Sequence, residues 1–253
     1  MSKTAFVWTA FTVGIGVCFG FDAYWIATST LKGAHQQWLV TLALVIALCL
    51  LAGYMVNGRL DGILINDRNR ISLGRLQWTA WLIVLMSGYF VEALWNAGHG
   101  GEIPTMQQDL LGLLGIVSGT SVVGGVISNS KKQTEAPASP GKSIAKAQPG
   151  DSPADVGQLD ANKTPKEASW ADLYLGEDVA NRYVVDLSRL QKLLFTIILI
   201  AIYAAWLWQA LGDPPKGIFA EMPKLDDKGT FLWLLGISNG TYLASKATPK
   251  TTN

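Results

Sequence analysis

The sequence predicts an all-α, polytopic membrane protein with six transmembrane helices, four of which form two parallel two-span repeats. Three observations predict this class. Charged residues make up only 15% of the 253 residues, whereas soluble domains carry about 25%. The apolar residues fall in long blocks instead of alternating with polar ones. Lys and Arg are concentrated in the segments on one side of those blocks.

The apolar blocks are the predicted spans. A hydrocarbon core about 30 Å thick requires roughly 20 helical residues, with about 17 as the lower end. In lipid, each backbone amide must bond inside its own segment, so the blocks are predicted to be helices. The last block is the least apolar, because it is short and contains Ser238, Asn239 and Thr241. The blocks are 5–27, 38–56, 79–97, 109–128, 193–211 and 230–245.

The positive charges predict the orientation. With the N-terminus inside, 16 of the 20 Lys and Arg residues lie in inner segments. This asymmetry follows the positive-inside rule and predicts cytoplasmic N- and C-termini. A cleaved signal peptide over residues 1–27 stays an open alternative, although Asp22 and Trp25 interrupt its apolar core. The net charge of +1 gives no reason to expect nucleic acid binding.

Two segments of the chain repeat one another. "LLGIVSGTS" at 113–121 returns as "LLGISNGTY" at 234–242, and "ISLGRLQ" at 71–77 returns as "VDLSRLQ" at 185–191. An outer-loop Glu-x-Pro lies between these landmarks in each copy. The shared order predicts duplicated two-span hairpins that point the same way. The predicted domains are a two-span hairpin at 1–68, repeat A at 69–129, a linker at 130–182, and repeat B with a short tail at 183–253.

The repeated phrase carries GxxxG in both copies. Glycines four residues apart smooth one face of a helix, so another backbone can approach closely. The sequence favours packing of the fourth span against the sixth within one chain, and an oligomer interface or a pore lining is the alternative. The predicted helix-packing residues are Gly112, Gly115, Gly119, Gly236 and Gly240.

The two copies also share an arginine, Arg75 in one and Arg189 in the other. Each lies near the inner start of a span, after Ser72 or Asp186 as the predicted N-cap. An Arg in this position commonly extends to lipid phosphate, and an inner-mouth charge or a partner contact is the functional alternative.

Three acids lie at similar depth near the outer ends of spans: Asp22, Glu92 and Asp109. Acids within spans often mark function, so these three are a candidate outer cation vestibule. The plainer interpretation, which the sequence favours, is three interfacial carboxylates in contact with water.

The linker at 130–182 differs in composition from the rest of the chain. Residues 130–169 contain five prolines and hardly any large apolar side chain, so this part is predicted to be disordered. Trp170, Leu173, Tyr174 and Leu175 follow it and favour a short interfacial helix or a docking motif.

Motifs of enzymatic chemistry are missing from the sequence. It contains no HExxH, no paired CxxC, no P-loop and no dinucleotide fingerprint. We therefore expect a protein that is not an enzyme and that holds neither a cofactor nor a metal.

The pattern "DLSRLQ…LLGISNGTYLASK" at 186–246 resembles a motif of bacterial integral membrane proteins that have no assigned activity. The first copy departs from it, with Ser121 where Tyr242 stands. The resemblance implies a bacterial inner membrane and says nothing about mechanism.

Three function classes remain after these exclusions. The glycine-rich spans and the outer acids favour an oligomeric pore or ion-conducting channel. The long inner loop favours a scaffold or anchor that recruits a soluble cytoplasmic protein, and a small-solute transporter is the third class. The predicted partners are membrane lipid, further copies of the chain and, for the scaffold, that soluble protein.

Overall fold

The computed structural model describes residues 3–28, 33–106, 108–134, 157–211 and 230–248. Within these residues the secondary structure is helical and contains no strand, which confirms the predicted all-α class. A five-residue π-helical turn, Leu82–Met86, joins the third helix to the fourth. The helices are α1 (Lys3–Thr28), α2 (Ala34–Asn57), α3 (Leu73–Trp81), α4 (Ser87–Gly98), α5 (Gln108–Gln133), α6 (Leu187–Ala210) and α7 (Thr230–Ala247).

Five helical segments are long and apolar enough to cross a membrane: Phe11–Thr28, Ala34–Asn57, Leu73–Gly98, Leu110–Gln133 and Leu187–Ala210. Helix α7 is not among them. Ser238, Asn239 and Lys246 lower the apolar character of its 18 residues. The structure thus agrees with a membrane protein of several spans, and the sixth span stays a prediction.

The surfaces of these helices are unusually apolar. Phe21 is 74% exposed, and Leu51 and Ile198 are each about half exposed. Lipid tails are as apolar as such side chains, so these residues need no protein cover within a bilayer. Their exposure fits the membrane character that length and composition indicate.

The chain forms two compact units. The first unit contains the described residues up to 51, 80–106, 108 and 200–211. Helices α1 and α4 pack closely in it, because an added Cβ at Gly98 would overlap the backbone carbonyl of Ala27. Aromatic rings fill much of the interior, with Trp81 and Tyr203 at 5.3 Å between centroids in an edge-on arrangement.

The second unit contains residues 52–79, 109–134, 157–199 and 230–248. At the end of α2, Gly53 and Gly62 approach so closely that a Cβ on either would overlap backbone atoms near the other. This approach fixes a short 3-10 turn, Gly62–Leu64. A small apolar core lies beside the turn and consists of Leu64, Ile65, Ile71, Leu73, Ala168 and Leu173.

The linker predicted to be disordered is partly folded. Residues 130–133 complete α5, residues 157–182 have a defined structure, and 135–156 lie outside the described residues. Three 3-10 turns order the folded part: Pro165–Glu167, Trp170–Leu173 and Val179–Asn181. The prediction of disorder from composition was wrong for the folded part. This segment has few large apolar residues, but capping boxes and ion pairs hold it in a defined structure.

The predicted N-caps of α3 and α6 are confirmed. The backbone N–H of Arg75 donates to Ser72 Oγ at 3.5 Å. Asp186 Oδ1 accepts from the N–H groups of Ser188 at 3.0 Å and Arg189 at 3.3 Å. A side chain that accepts these otherwise unpaired amides fixes where each helix begins.

Candidate functional site

The loop before α3 is joined to the folded segment 157–182 by buried ion pairs. Arg70 Nη1 lies 2.8 Å from Asp160 Oδ2, and Arg70 Nη2 lies 3.1 Å from Asp172 Oδ1. Asp172 Oδ2 also accepts from the backbone amides of Ile71 and Ser169. Arg182 bonds the other oxygen of Asp160 at 2.9 Å. These contacts connect parts of the chain that are about 100 residues apart.

Glu177 is the acidic centre of this region. Its carboxylate pairs with Arg189, with Lys246 at 2.9 Å and with Arg68 at 3.2 Å. Tyr242 OH lies 3.4 Å from the same carboxylate. Burial on its own raises the pKa of Glu177, but the three cations outweigh it and hold the pKa well below its usual range.

Two further ion pairs fasten the end of α5. Lys131 is buried and lies 2.7 Å from Asp178 Oδ2, and Lys132 pairs with Asp67. Gly157 lies against the carbonyl oxygens of both lysines with a φ of +60°. A side chain at that position would overlap the backbone of α5, so glycine is required there.

A cavity of about 280 Å³ with charged residues in its lining includes Glu177 in its wall. We call it the basic cavity, because five cationic side chains and only two carboxylates line it. Residues of α3, α5, α6 and α7 and of the loop before α3 contribute to its walls. Its charged lining consists of Arg68, Arg75, Lys132, Lys192, Lys246, Asp67 and Glu177.

Lys192 is the unusual cation of this cavity. Its side chain is 2% exposed, and its Nζ lies 4.1 Å from the centroid of the Tyr242 ring. No carboxylate of the described residues lies within 4.0 Å of it. A buried amine without an acidic partner at bonding distance either loses its proton or pairs with an ion from outside the described chain.

Helix α5 brings hydroxyl groups to the same cavity through Thr120, Ser121 and Ser128. Each hydroxyl donates its proton to the carbonyl four residues earlier, at 2.7, 3.1 and 2.9 Å. Because each group has one proton, these oxygens offer acceptor lone pairs to the cavity. The cavity therefore combines cationic donors with hydroxyl acceptors.

The two predicted inner-interface arginines have different surroundings. Arg189 is 3% exposed and donates to the Asp172 carbonyl at 2.5 Å besides pairing with Glu177. Arg75 is exposed and donates to the Ile65 carbonyl at 2.7 Å. Contact with lipid phosphate, which the sequence favours, does not describe Arg189, because its guanidinium is enclosed by protein groups.

The predicted helix-packing glycines lie on open surfaces. An added Cβ at Gly115, Gly119, Gly236 or Gly240 would meet no atom of the described residues within 4 Å, and Gly112 is exposed. Within the described chain, α5 and α7 therefore do not pack through these glycines, contrary to the favoured interpretation. The two helices approach at Gly124 instead, where an added Cβ would lie 3.8 Å from Leu243 Cδ2. The oligomer interface stays a prediction.

Two of the three predicted vestibule acids are covered by protein. Asp22 is 2% exposed and Glu92 is 0% exposed. Thr41 donates to Asp22 Oδ2 at 2.6 Å. Neither a water-filled vestibule nor free contact with water describes these two residues, because helices of the first unit enclose them. The side chain of Asp109 lies outside the described residues.

Sequence reasoning missed Lys192, Glu177 and Arg68 as site residues. Arg68 and Arg70 both fall in the short loop before a predicted span, and acids recur between 160 and 186. A basic loop and an acidic segment in one chain indicate that the two could form ion pairs, and this was the signal in the sequence that could have located the site. In the part of the chain that the structure covers, no three His, Cys, Asp or Glu side chains are grouped as metal ligands would be.

Comparison with protein-family models, with curated protein sequences and with solved structures finds no match to this chain.

Proposed function

We propose that this protein is a non-enzymatic integral membrane protein that conducts ions as an oligomeric pore. The observation that carries the proposal is the charged cavity of about 280 Å³ lined by helices whose other faces are apolar. The charged lining lies at the inner ends of the helices and in the adjoining loops, and rings of Arg and Lys side chains at such a mouth select anions in known pores. A water molecule occupies about 30 Å³ in the liquid, so the cavity has room for a hydrated ion.

Other buried polar groups in the second unit support the proposal. Gln77 Nε2 donates to Thr196 Oγ1 at 2.6 Å between α3 and α6. Gln77 Oε1, Ser238 Oγ and Asn239 Oδ1 are buried and have no hydrogen-bond partner among the described residues. Leaving such an atom unpaired costs about 1–3 kcal/mol, and water or an ion along a pathway supplies the missing partner.

The oligomeric part of the proposal is supported by the open glycine faces. Gly119 on α5 and Gly240 on α7 leave room for another backbone, and none of the described residues fills it. A second copy of the chain is the occupant that we propose. Membrane lipid covers the remaining apolar surface.

Ion flux from liposomes that contain the purified protein tests the proposal. We expect release of trapped ions by the wild type and a clear reduction by Lys192→Gln, which removes the cavity's unpaired charge. Lys163→Gln is the matched control, because Lys163 is exposed and outside the cavity lining. A folded, correctly inserted protein that releases no ions would contradict the proposal.

Orientation has its own test. We propose an inner-membrane protein with both termini and residues 129–182 in the cytoplasm, from the charge asymmetry. In a background without Cys18 and Cys49, cysteines introduced at Ser143 and at Gly100 should react oppositely with an impermeant reagent in intact cells. Labelling of both positions would contradict the six-span arrangement.

A membrane anchor that recruits a soluble protein is the second candidate. The folded segment 157–182 favours it, because this segment exposes Trp170 by 53%, and exposed aromatic residues are common in interfaces. An anchor would bind its cytoplasmic partner without ion flux and would lose it on Trp170→Ala. A saturable, solute-specific flux would indicate a transporter instead.

A further inference from the structure

We propose that the basic cavity is a binding site for a phosphate group that carries a proton: hydrogen phosphate in solution or the singly protonated monoester headgroup of a lipid. This proposal deepens the proposed function by naming the class of ion. It rests on three observations that concern the charge balance, Lys192 and the hydroxyls of α5.

The charges of the cavity are not balanced by its own residues. Glu177 is shared by Arg68 and Lys246, and Asp67 is paired with Lys132. No carboxylate in the described chain serves Lys192, although this side chain is 2% exposed and lines the cavity. An anion in the cavity would pair with Lys192 and favour its charged form, since a buried ammonium keeps its proton only when it is paired.

Shape and donor chemistry favour an oxyanion over a halide. The cavity is lined by two lysines, Lys192 on α6 and Lys246 on α7, and by two arginines, Arg68 in the loop before α3 and Arg75 on α3. Charged donors of this kind bind phosphate oxygens strongly, and the arginine fork suits them geometrically. At about 280 Å³, the cavity lies below the usual range of about 300–1,000 Å³ for drug-sized ligands, which favours a small oxyanion.

The hydroxyls of α5 select a protonated oxyanion. Thr120, Ser121 and Ser128 donate to their own helix and thus offer acceptor oxygens to the cavity. Inorganic phosphate keeps at least one P–OH donor at neutral pH, whereas a phosphate monoester keeps one only in its monoanionic form, because the second pKa of a monoester is about 6. Sulfate and chloride carry no proton, so they would leave these acceptors unpaired at a cost in affinity.

Calorimetry on the purified full-length protein in mild detergent tests the proposal. Inorganic phosphate should bind at least tenfold more tightly than sulfate or chloride at equal ionic strength. Lys192→Gln should weaken phosphate binding at least tenfold, and Lys163→Gln should leave it unchanged. Ser121→Ala combined with Thr120→Val should reduce the preference for phosphate over sulfate while anion binding persists. Equal binding of the three anions to the wild type would overturn the assignment to phosphate.

Two further arms identify the source of the phosphate and keep the test independent of folding. Retention of phosphatidic acid, but not of phosphatidylcholine, in native mass spectra would identify a lipid headgroup. A calorimetric binding signal with inorganic phosphate, without retention of phosphatidic acid, would identify the free ion. Thermal stabilisation of the wild type by either probe requires no variant, so a Lys192→Gln chain that fails to fold does not end the test. No binding of either probe would overturn the proposal, even if the liposomes conduct ions. Binding without flux would overturn the proposed function and leave the phosphate site standing.

Discussion

The sequences "ISLGRLQ" at 71–77 and "VDLSRLQ" at 185–191 share Leu, Arg, Leu and Gln in the same positions. The first copy buries its first leucine, whereas the second copy buries its arginine. In the first copy, Leu73 is 1% exposed and Arg75 is exposed. In the second copy, Leu187 is 75% exposed and Arg189 is 3% exposed. Both helices begin at a confirmed N-cap, so the local structure is the same. The comparison teaches that a duplicated sequence preserves a helix start without preserving which face of the helix is buried.

The partners of each copy explain the difference. Leu73 belongs to the small apolar core with Ile71 and Leu173. Arg189 instead meets the Glu177 carboxylate and the Asp172 carbonyl. The helices differ further along as well, because the first copy contains the π-helical turn Leu82–Met86 and α6 contains none. Such turns are often found at functional sites.

Replacing the arginines should show the largest difference between the copies. Arg189→Met leaves Glu177 with one fewer cation in a buried site, and breaking a buried pair costs about 3–5 kcal/mol. Arg75→Met removes an exposed hydrogen bond to a carbonyl and should cost about 1 kcal/mol. Unfolding of the purified variants in mild detergent measures both values. Equal losses would show that the two arginines are equivalent after all.

Replacing the leucines should reverse that order. Leu73→Ala opens a cavity in the small apolar core and should cost about 2–5 kcal/mol. Leu187→Ala changes an exposed side chain and should stay within about 0.5 kcal/mol. The same unfolding measurement applies, and a larger loss at Leu187 than at Leu73 would contradict the burial on which the comparison depends.

The charge environment of the second copy should appear in the dependence of stability on pH. The folded pKa of Glu177 lies well below its unfolded value of about 4.3. Its contribution to stability is therefore complete above the unfolded pKa and is lost as the pH falls through the folded pKa. The melting temperature of Glu177→Gln should lie below that of the wild type at neutral pH, and the two should converge in acid.

Glu167→Gln is the control for this experiment, because Glu167 is exposed and outside the cation group. Its melting temperature should follow that of the wild type throughout. A constant difference between Glu177→Gln and the wild type down to strongly acid pH would show that charge pairing is not the cause.

The smallest effect on the monomer is expected in the GxxxG phrases at 113–121 and 234–242, because the glycines of both copies lie on open surfaces. Gly119→Leu and Gly240→Leu each place a side chain in open space, so monomer stability should change by less than about 0.5 kcal/mol. If these faces join subunits, size-exclusion chromatography in mild detergent should show a smaller particle. A destabilised monomer would instead mean that the glycines pack within one chain.

Local features of the chain were open to prediction from sequence. Hydropathy located five helical segments suited to a membrane, and Ser72 and Asp186 marked where α3 and α6 begin. The sequence failed at 157–169, where few apolar residues suggested disorder. The predicted packing of α5 against α7 through their GxxxG glycines was also not found among the described residues. A GxxxG pattern shows that a helix surface is smooth, but it does not show what covers that surface.

The sequence by itself determined where the helices lie, because span length, apolar composition and N-capping depend on neighbouring residues. Only the tertiary structure decided which faces are buried and where the charges meet. Arg70 and Asp172 are a hundred residues apart, and Glu177 collects cations from the loop before α3, from α6 and from α7. In the sequence, Lys192 looks like any lysine at the start of an apolar block. Only the folded chain shows that its side chain is buried without an acidic partner among the described residues. Charge compensation depends on distances in space, and for this reason the basic cavity appears only when the chain is folded.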